Sequence, residues 1–154
     1  MGLNIVLVEP EIPQNTGNIA RTCSAAGSKL HLVRPLGFLI DDKKMKRAGL
    51  DYWDNVEVFF HDCLEQFLEK HCKDLMFYIS TKGTICYTEN KYPDECFLLF
   101  GKETAGLPGW LLEQNPERCL RIPMQEETRS LNLSNSAAIL IYEYYRQNGF
   151  KGLK

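Results

Sequence analysis

The sequence predicts an α/β domain, a mostly parallel six-stranded sheet flanked by helices. Three observations lead there. Short apolar runs rich in Val, Ile, Leu and Phe recur along the chain. Helix-period segments alternate with them, the pattern that builds a parallel sheet with helical crossovers. Polar loops bearing Gly or Asn follow the ends of several runs, the side of an open α/β sheet on which ligands bind.

The elements read as follows. Leu3 to Val8 is a buried strand, broken by Pro10 and Pro13. Gln14-Asn15-Thr16-Gly17-Asn18 reads as a turn cluster before a helical pattern through Ile19, Ala20, Cys23 and Ala26, with Arg21 near its start. Leu30 to Val33 is the second strand. Asp41 caps a short helix ended by Gly49. Val56 to Phe60 is the third strand, and Asp62 caps a helix through His71. Leu75 to Ser80 is the fourth strand, and the fully apolar Phe97 to Phe100 the fifth. Pro108 opens a helix through Glu113, and Cys119 to Ile122 is the sixth strand. The three loops 79–83, 101–107 and 122–132 follow strand ends and are placed to share one pocket.

A chain of 154 residues is one domain by length, here 1–154. Hydrophobic content of 44% and charged content of 25% are those of a globular protein. No apolar run reaches membrane-spanning length, so no membrane partner is expected. Cysteines at 23, 63, 72, 86, 96 and 119 have irregular gaps and no C-x-x-C, which reads as reduced thiols in a cytoplasmic protein. Histidines at 31, 61 and 71 are scattered without metal spacing, and no metal is expected. A net charge of −2 argues against gripping long nucleic acid by charge alone. It leaves room for a local patch, and Lys43, Lys44, Lys46 and Arg47 form one: either a solvated helix face or a set of phosphate contacts.

The stretch Arg121 to Asn135 is the most informative. Pro123 stops a strand, a polar run follows, and Ser130-Leu131-Asn132-Leu133-Ser134-Asn135 leads into a helix. Ser and Asn side chains bond nearby backbone groups. Four of them exceed what one helix cap needs, so the segment is either a cap with solvated neighbours or a tight loop offering backbone groups to a ligand. The helix itself, 135–147, is apolar on every side over Ala137 to Tyr142. A helix of that kind is surrounded, and in a chain this short part of it is expected to face a second subunit. Gly149 is its natural stop.

Several motifs fail. There is no G-x-G-x-x-G and no G-x-S-x-G. Gly101-Lys102 is followed by Glu103 and preceded at five residues by Cys96, so it is no phosphate-binding loop of the G-x-x-x-x-G-K type. Three other segments stand in register: Asn15-x-Gly17-Asn18-x-x-Arg21, Phe100-Gly101-x-Glu103-x-x-Gly106-Leu107, and Ile122-Pro123-Met124 leading to Ser130-Leu131-Asn132-Leu133-Ser134. In this order and spacing the chain resembles the SPOUT class of RNA ribose 2′-O-methyltransferases. Its nearest likeness is to the minimal members that methylate the wobble nucleotide of tRNA, and it covers Leu3 to Gly149.

The resemblance implies an α/β trefoil knot, S-adenosylmethionine as methyl donor, tRNA as substrate and a homodimer. By analogy Ile79, Gly101, Ile122 and Ser130 line the adenosyl site, with Met124 and Leu131 close by. Arg21, Glu103 and Asn132 match positions tied to activity, and Asn15, Arg21 and the basic patch are expected on the RNA side. Arg21 suits positioning through a phosphate contact, since guanidinium does not give up its proton. Glu103 is either the proton acceptor or a brace for its loop. The close subfamily often carries Pro where Lys102 stands and Arg where Ala105 stands, so the loop's positive charge is shifted here. Two other readings stay open: an RNA-binding or assembly protein without turnover, and a methyltransferase for ribosomal RNA.

Overall fold

The computed structural model describes residues 2–40 and 53–154. The helix expected after Asp41 and its basic patch, Lys43, Lys44, Lys46 and Arg47, lie outside the described residues. In chain order the elements are β1 (Gly2–Val8), α1 (Pro13–Ala26), β2 (Lys29–Val33), a 3-10 turn (Trp53–Asn55), β3 (Val58–His61) and α2 (Leu64–Lys70). Then come β4 (Met76–Ile79), β5 (Ile85–Cys86), β6 (Glu95–Phe100), α3 (Gly109–Glu113), a second 3-10 turn (Pro116–Arg118), β7 (Cys119–Arg121) and α4 (Leu133–Gln147).

The strands form one sheet in the order β3-β2-β1-β6-β4-β7-β5. Every ladder between them is parallel. Side chains alternate across a strand, and that splits the core into two layers. On one face Leu3, Ile5 and Leu7 of β1 and Leu98 and Phe100 of β6 meet Ile19, Ala20 and Cys23 of α1 and Ala137, Leu140 and Ile141 of α4. On the other, Val6, Val8, Phe97 and Leu99 meet Leu64 and Phe67 of α2 and Leu111 and Leu112 of α3. Both faces are covered, as a parallel sheet requires. Each fully buried Leu, Ile or Phe contributes about 1.5–3 kcal/mol of transfer free energy.

Four expectations are corrected. The sheet has seven strands, not six: Ile85–Cys86 adds a strand beside β7 that is too short to show a period in sequence. Helix α1 starts at Pro13, so Gln14 to Asn18 are helical rather than a turn before the helix. Proline is tolerated at the first helical position because the amide it lacks has no partner there. Burial of Asn15, Thr16 and Gly17 against the body of the protein outweighs their turn preference. Helix α2 is capped by Cys63, with no side-chain cap bond, while Asp62 instead pairs with Arg34 at 3.5 Å. Pro108 is the N-cap of α3 rather than its first residue.

The six cysteines are all free thiols. Burial pushes Cys23 and Cys96 up to about 12, so both stay protonated and inert.

Candidate active site

The sheet order places β6, β4 and β7 side by side, so the loops leaving their carboxyl ends converge. They enclose a cavity of about 430 Å³. Ile79 and Ile122 end the strand wall, Gly101 and Glu103 come from the loop after β6, and Met124, Ser130 and Leu131 come from the stretch before α4. Asn15 reaches the same cavity from the first turn of α1. The three loops singled out in the sequence therefore do form one pocket.

Backbone packing builds the walls. A Cβ at Gly101 would overlap the backbone of Gly106 and Leu107, so only glycine lets the loop fold back there. The loop closes with Gly106 N–H donating to Lys102 O at 2.8 Å, and Gly106 has φ of +71°, the left-handed region that glycine adopts without strain. A Cβ at Gly83 would stand 2.8 Å from Cys119 O, which explains how β7 lies so close over the loop after β4. Ser80 N–H donates to Leu120 O at 2.9 Å along the same contact.

A polar chain ties the three motifs together. Glu103 accepts from Glu11 N–H at 2.8 Å, from Ile12 N–H at 3.1 Å and from Asn15 Nδ2 at 3.2 Å. Asn15 Oδ1 in turn accepts from Asn132 Nδ2 at 3.0 Å. Asn132 is the N-cap of α4: its Oδ1 accepts from Ser134 N–H at 2.9 Å and from Asn135 N–H at 3.3 Å. Thr104 doubles the tie to the first loop by donating its hydroxyl to Glu11 at 2.8 Å. Lys102 Nζ stands 3.3 Å from Glu9 Oε2, so the charge at this position is held at the cavity's rim.

Arg21 is not among the lining residues. It sits on the exposed side of α1, further along the helix whose first turn carries Asn15. Sequence reasoning missed Lys82 and Arg129, two exposed cations that line the cavity. Both stand inside loops that the sequence marks as ligand-facing, and their charge was the signal to use.

A model of the SpoU rRNA Methylase family matches residues 2–142. The chain belongs to the SpoU methylase family. A Bacillus subtilis relative of this SpoU methylase is 54% identical over 157 residues, covering 100% of this chain and 98% of that protein. An Escherichia coli K12 protein named tRNA (cytidine(34)-2′-O)-methyltransferase is 47% identical over 151 residues, covering 97% and 96%. A solved structure concerned with 2-OH methylation of C/U34 on tRNA superposes with a TM-score of 0.89 at 46% identity, covering 96% of each chain.

Proposed function

We propose that this SpoU methylase transfers a methyl group from S-adenosylmethionine to the ribose 2′-hydroxyl of the wobble pyrimidine of tRNA, as a homodimer in the cytoplasm. The observation that carries the reading is the joining of all three family motifs at one strand-end cavity, in a chain of which 97% is matched by a protein named as a tRNA (cytidine(34)-2′-O)-methyltransferase.

The residues present fit the cofactor. A cavity of about 430 Å³ lies within the range of small-molecule sites. Its apolar wall of Ile79, Ile122, Met124 and Leu131 suits an adenine ring, and Gly101 lets backbone approach closely where a side chain would fill the space. When bound, the cofactor supplies an electrophilic methyl on a sulfonium, which a hydroxyl oxygen accepts as it loses its proton.

The chain's own contribution is then positioning, which supplies a large part of the rate in a bimolecular transfer. Glu103 already accepts three N–H donors, so it braces the loop against the segment before α1 rather than taking the proton. Asn132 spends its amide on the cap of α4 and on Asn15, and holds the two motifs in register. Arg21 holds an RNA phosphate outside the cavity, on the exposed side of α1, and Lys82 and Arg129 add positive charge where a polyanion approaches. The trefoil knot belongs to the same reading. After β7 the chain returns across the molecule, and α4 locks onto the loop between β5 and β6: Gln147 Nε2 donates to Asn90 O at 3.0 Å and the Tyr144 hydroxyl to Asp94 O at 2.6 Å.

The test is incubation with methyl-labelled S-adenosylmethionine and unmodified bulk tRNA, followed by digestion to nucleosides. The expected products are 2′-O-methylcytidine or 2′-O-methyluridine. Arg21→Ala is expected to retain cofactor binding and lose turnover. Unchanged methylation by that variant would remove the role given to Arg21, and no label with intact cofactor binding would favour a binding protein.

A further inference from the structure

The three histidines that are scattered in sequence meet in space. They lie near the sheet edge formed by β2 and β3 and share no residue with the cavity. β2 and β3 pair with Val33 opposite His61, and His31 stands two residues back on the same face of β2. Helix α2 runs back over them and ends at His71, its C-cap. One ring nitrogen from each histidine lies within 4.8 Å of the others.

The hydrogen bonds fix where the lone pairs point. Asn4 Nδ2 donates to Gly2 O at 3.2 Å and Cys96 O at 3.3 Å, which leaves Asn4 Oδ1 as an acceptor. His31 Nε2, 3.1 Å from that oxygen, therefore carries the proton, and His31 Nδ1 has the lone pair. His71 Nδ1 lies 2.7 Å from Asp74 Oδ2 and donates to it. That leaves a lone pair on His71 Nε2, which is buried and has no hydrogen-bond partner. His61 Nε2 is 3.0 Å from His31 Nδ1 and satisfies that one acceptor, but not His71. A metal-bound histidine typically donates its other ring N–H to an oxygen, because this orients the ring and raises its donor strength. His31 and His71 are both so arranged.

We propose that His31, His61 and His71 form a binding site for a divalent transition metal of the zinc class, clipping β2, β3 and α2 together. Two nitrogens on a tetrahedral zinc stand about 3.3 Å apart, given Zn–N bonds of about 2.0–2.1 Å. The 3.0 Å His31–His61 spacing is near that value, so binding turns these two nitrogens from each other toward the ion and draws the His71 ring in. His61 binds by moving its proton from Nε2 to Nδ1, so that all three rings coordinate as neutral imidazoles. Lys29 and Lys70 are neighbouring positive charges and oppose any cation held by charge alone. The site therefore selects a metal that bonds strongly to imidazole and rejects magnesium and calcium, which need oxygen ligands. The fourth position falls to water.

The experiment uses the full chain free of any histidine tag and stripped of metal by chelator. Titration with Co²⁺ is expected to give visible d–d absorption saturating at one equivalent per protomer, displaced by Zn²⁺ and untouched by Mg²⁺. His71→Gln is expected to abolish that absorption while circular dichroism shows an intact fold. Asp74→Asn, a change at an exposed residue, is expected to weaken binding about 10–100-fold. Absence of stoichiometric binding to the wild-type chain overturns the site, as does binding that His71→Gln leaves intact. If His71→Gln does not fold, Asp74→Asn decides: unaltered affinity in that variant overturns the site equally.

Discussion

A methyl group at position 101 runs into the peptide group between Gly106 and Leu107, and backbone cannot rotate away as a side chain can. Gly101→Ala must therefore push the 102–107 loop outward, and with it Glu103 and its three donors. Forcing a loop apart in this way costs about 1–3 kcal/mol. S-adenosylmethionine affinity is expected to fall about tenfold or more in calorimetric titration, with the far-ultraviolet spectrum unchanged. Wild-type affinity in Gly101→Ala would show that the loop has slack the packing does not reveal. The turn at Gly101 was legible in sequence because glycine after an apolar strand is a recognisable sign, and its place in a cofactor site is what the family resemblance implies. For Glu103 sequence left two roles open, proton acceptor or loop brace, and could not name the partners: Glu11 and Ile12 lie 92 and 91 residues away, and no local pattern reports a contact at that separation. Arg21 shows the opposite case, a residue that motif spacing marks and the cavity does not contain.

Elements differ in how far sequence reveals them. Helix α4 was expected over 135–147 and runs Leu133–Gln147, since Asn132 is the cap and the serines after it are already helical. β1 and β6 were plain because buried parallel strands read as continuous apolar runs. β5 was invisible at two residues, and α1 was read short because Asn15, Thr16 and Gly17 prefer turns in isolation. Glu143 on α4 gives a test at this scale. It is 8% exposed, and Arg146 Nε and Gln147 Nε2 donate to its carboxylate at 2.7 and 2.8 Å. The Arg146 hydrogen bond, against the opposing effect of burial, holds the carboxyl below the usual carboxylate range. A depressed native value means that the unfolded state binds the proton more readily. The stabilisation is then full above the unfolded carboxylate value and is lost as pH falls through the native one. Glu143→Gln is expected to lower Tm by about 2–4 °C at pH 7, and the gap to wild type should shrink as pH drops below about 4. A gap that stays constant with pH would mean that the carboxylate charge has no part in holding the C-terminal end of α4.

At the scale of the whole molecule, the question left by α4 is what covers its outer side. Ala137, Leu140 and Ile141 are buried within the protomer, but Tyr142 remains 46% exposed and borders a concavity with Ala25, Phe150 and Leu153. A second copy seated there would account for a helix apolar on every side, so sedimentation at micromolar concentration is expected to give twice the protomer mass. A monomer, with Tyr142→Glu sedimenting like wild type, would contradict this. The α/β class and the strand-end pocket were legible at this scale because both follow from the alternation of elements. The meeting of His31, His61 and His71 was not, because it depends on which strands become neighbours. Among the described residues no helix is long and apolar enough to cross a membrane. The central claim is that the methyl group goes to one ribose hydroxyl, and one comparison tests it most directly. Two tRNA transcripts, identical except for ribose or 2′-deoxyribose at the wobble pyrimidine, are incubated with enzyme and labelled S-adenosylmethionine. Label on the first and none on the second is the predicted result; equal label on both would place the reaction elsewhere and contradict the account.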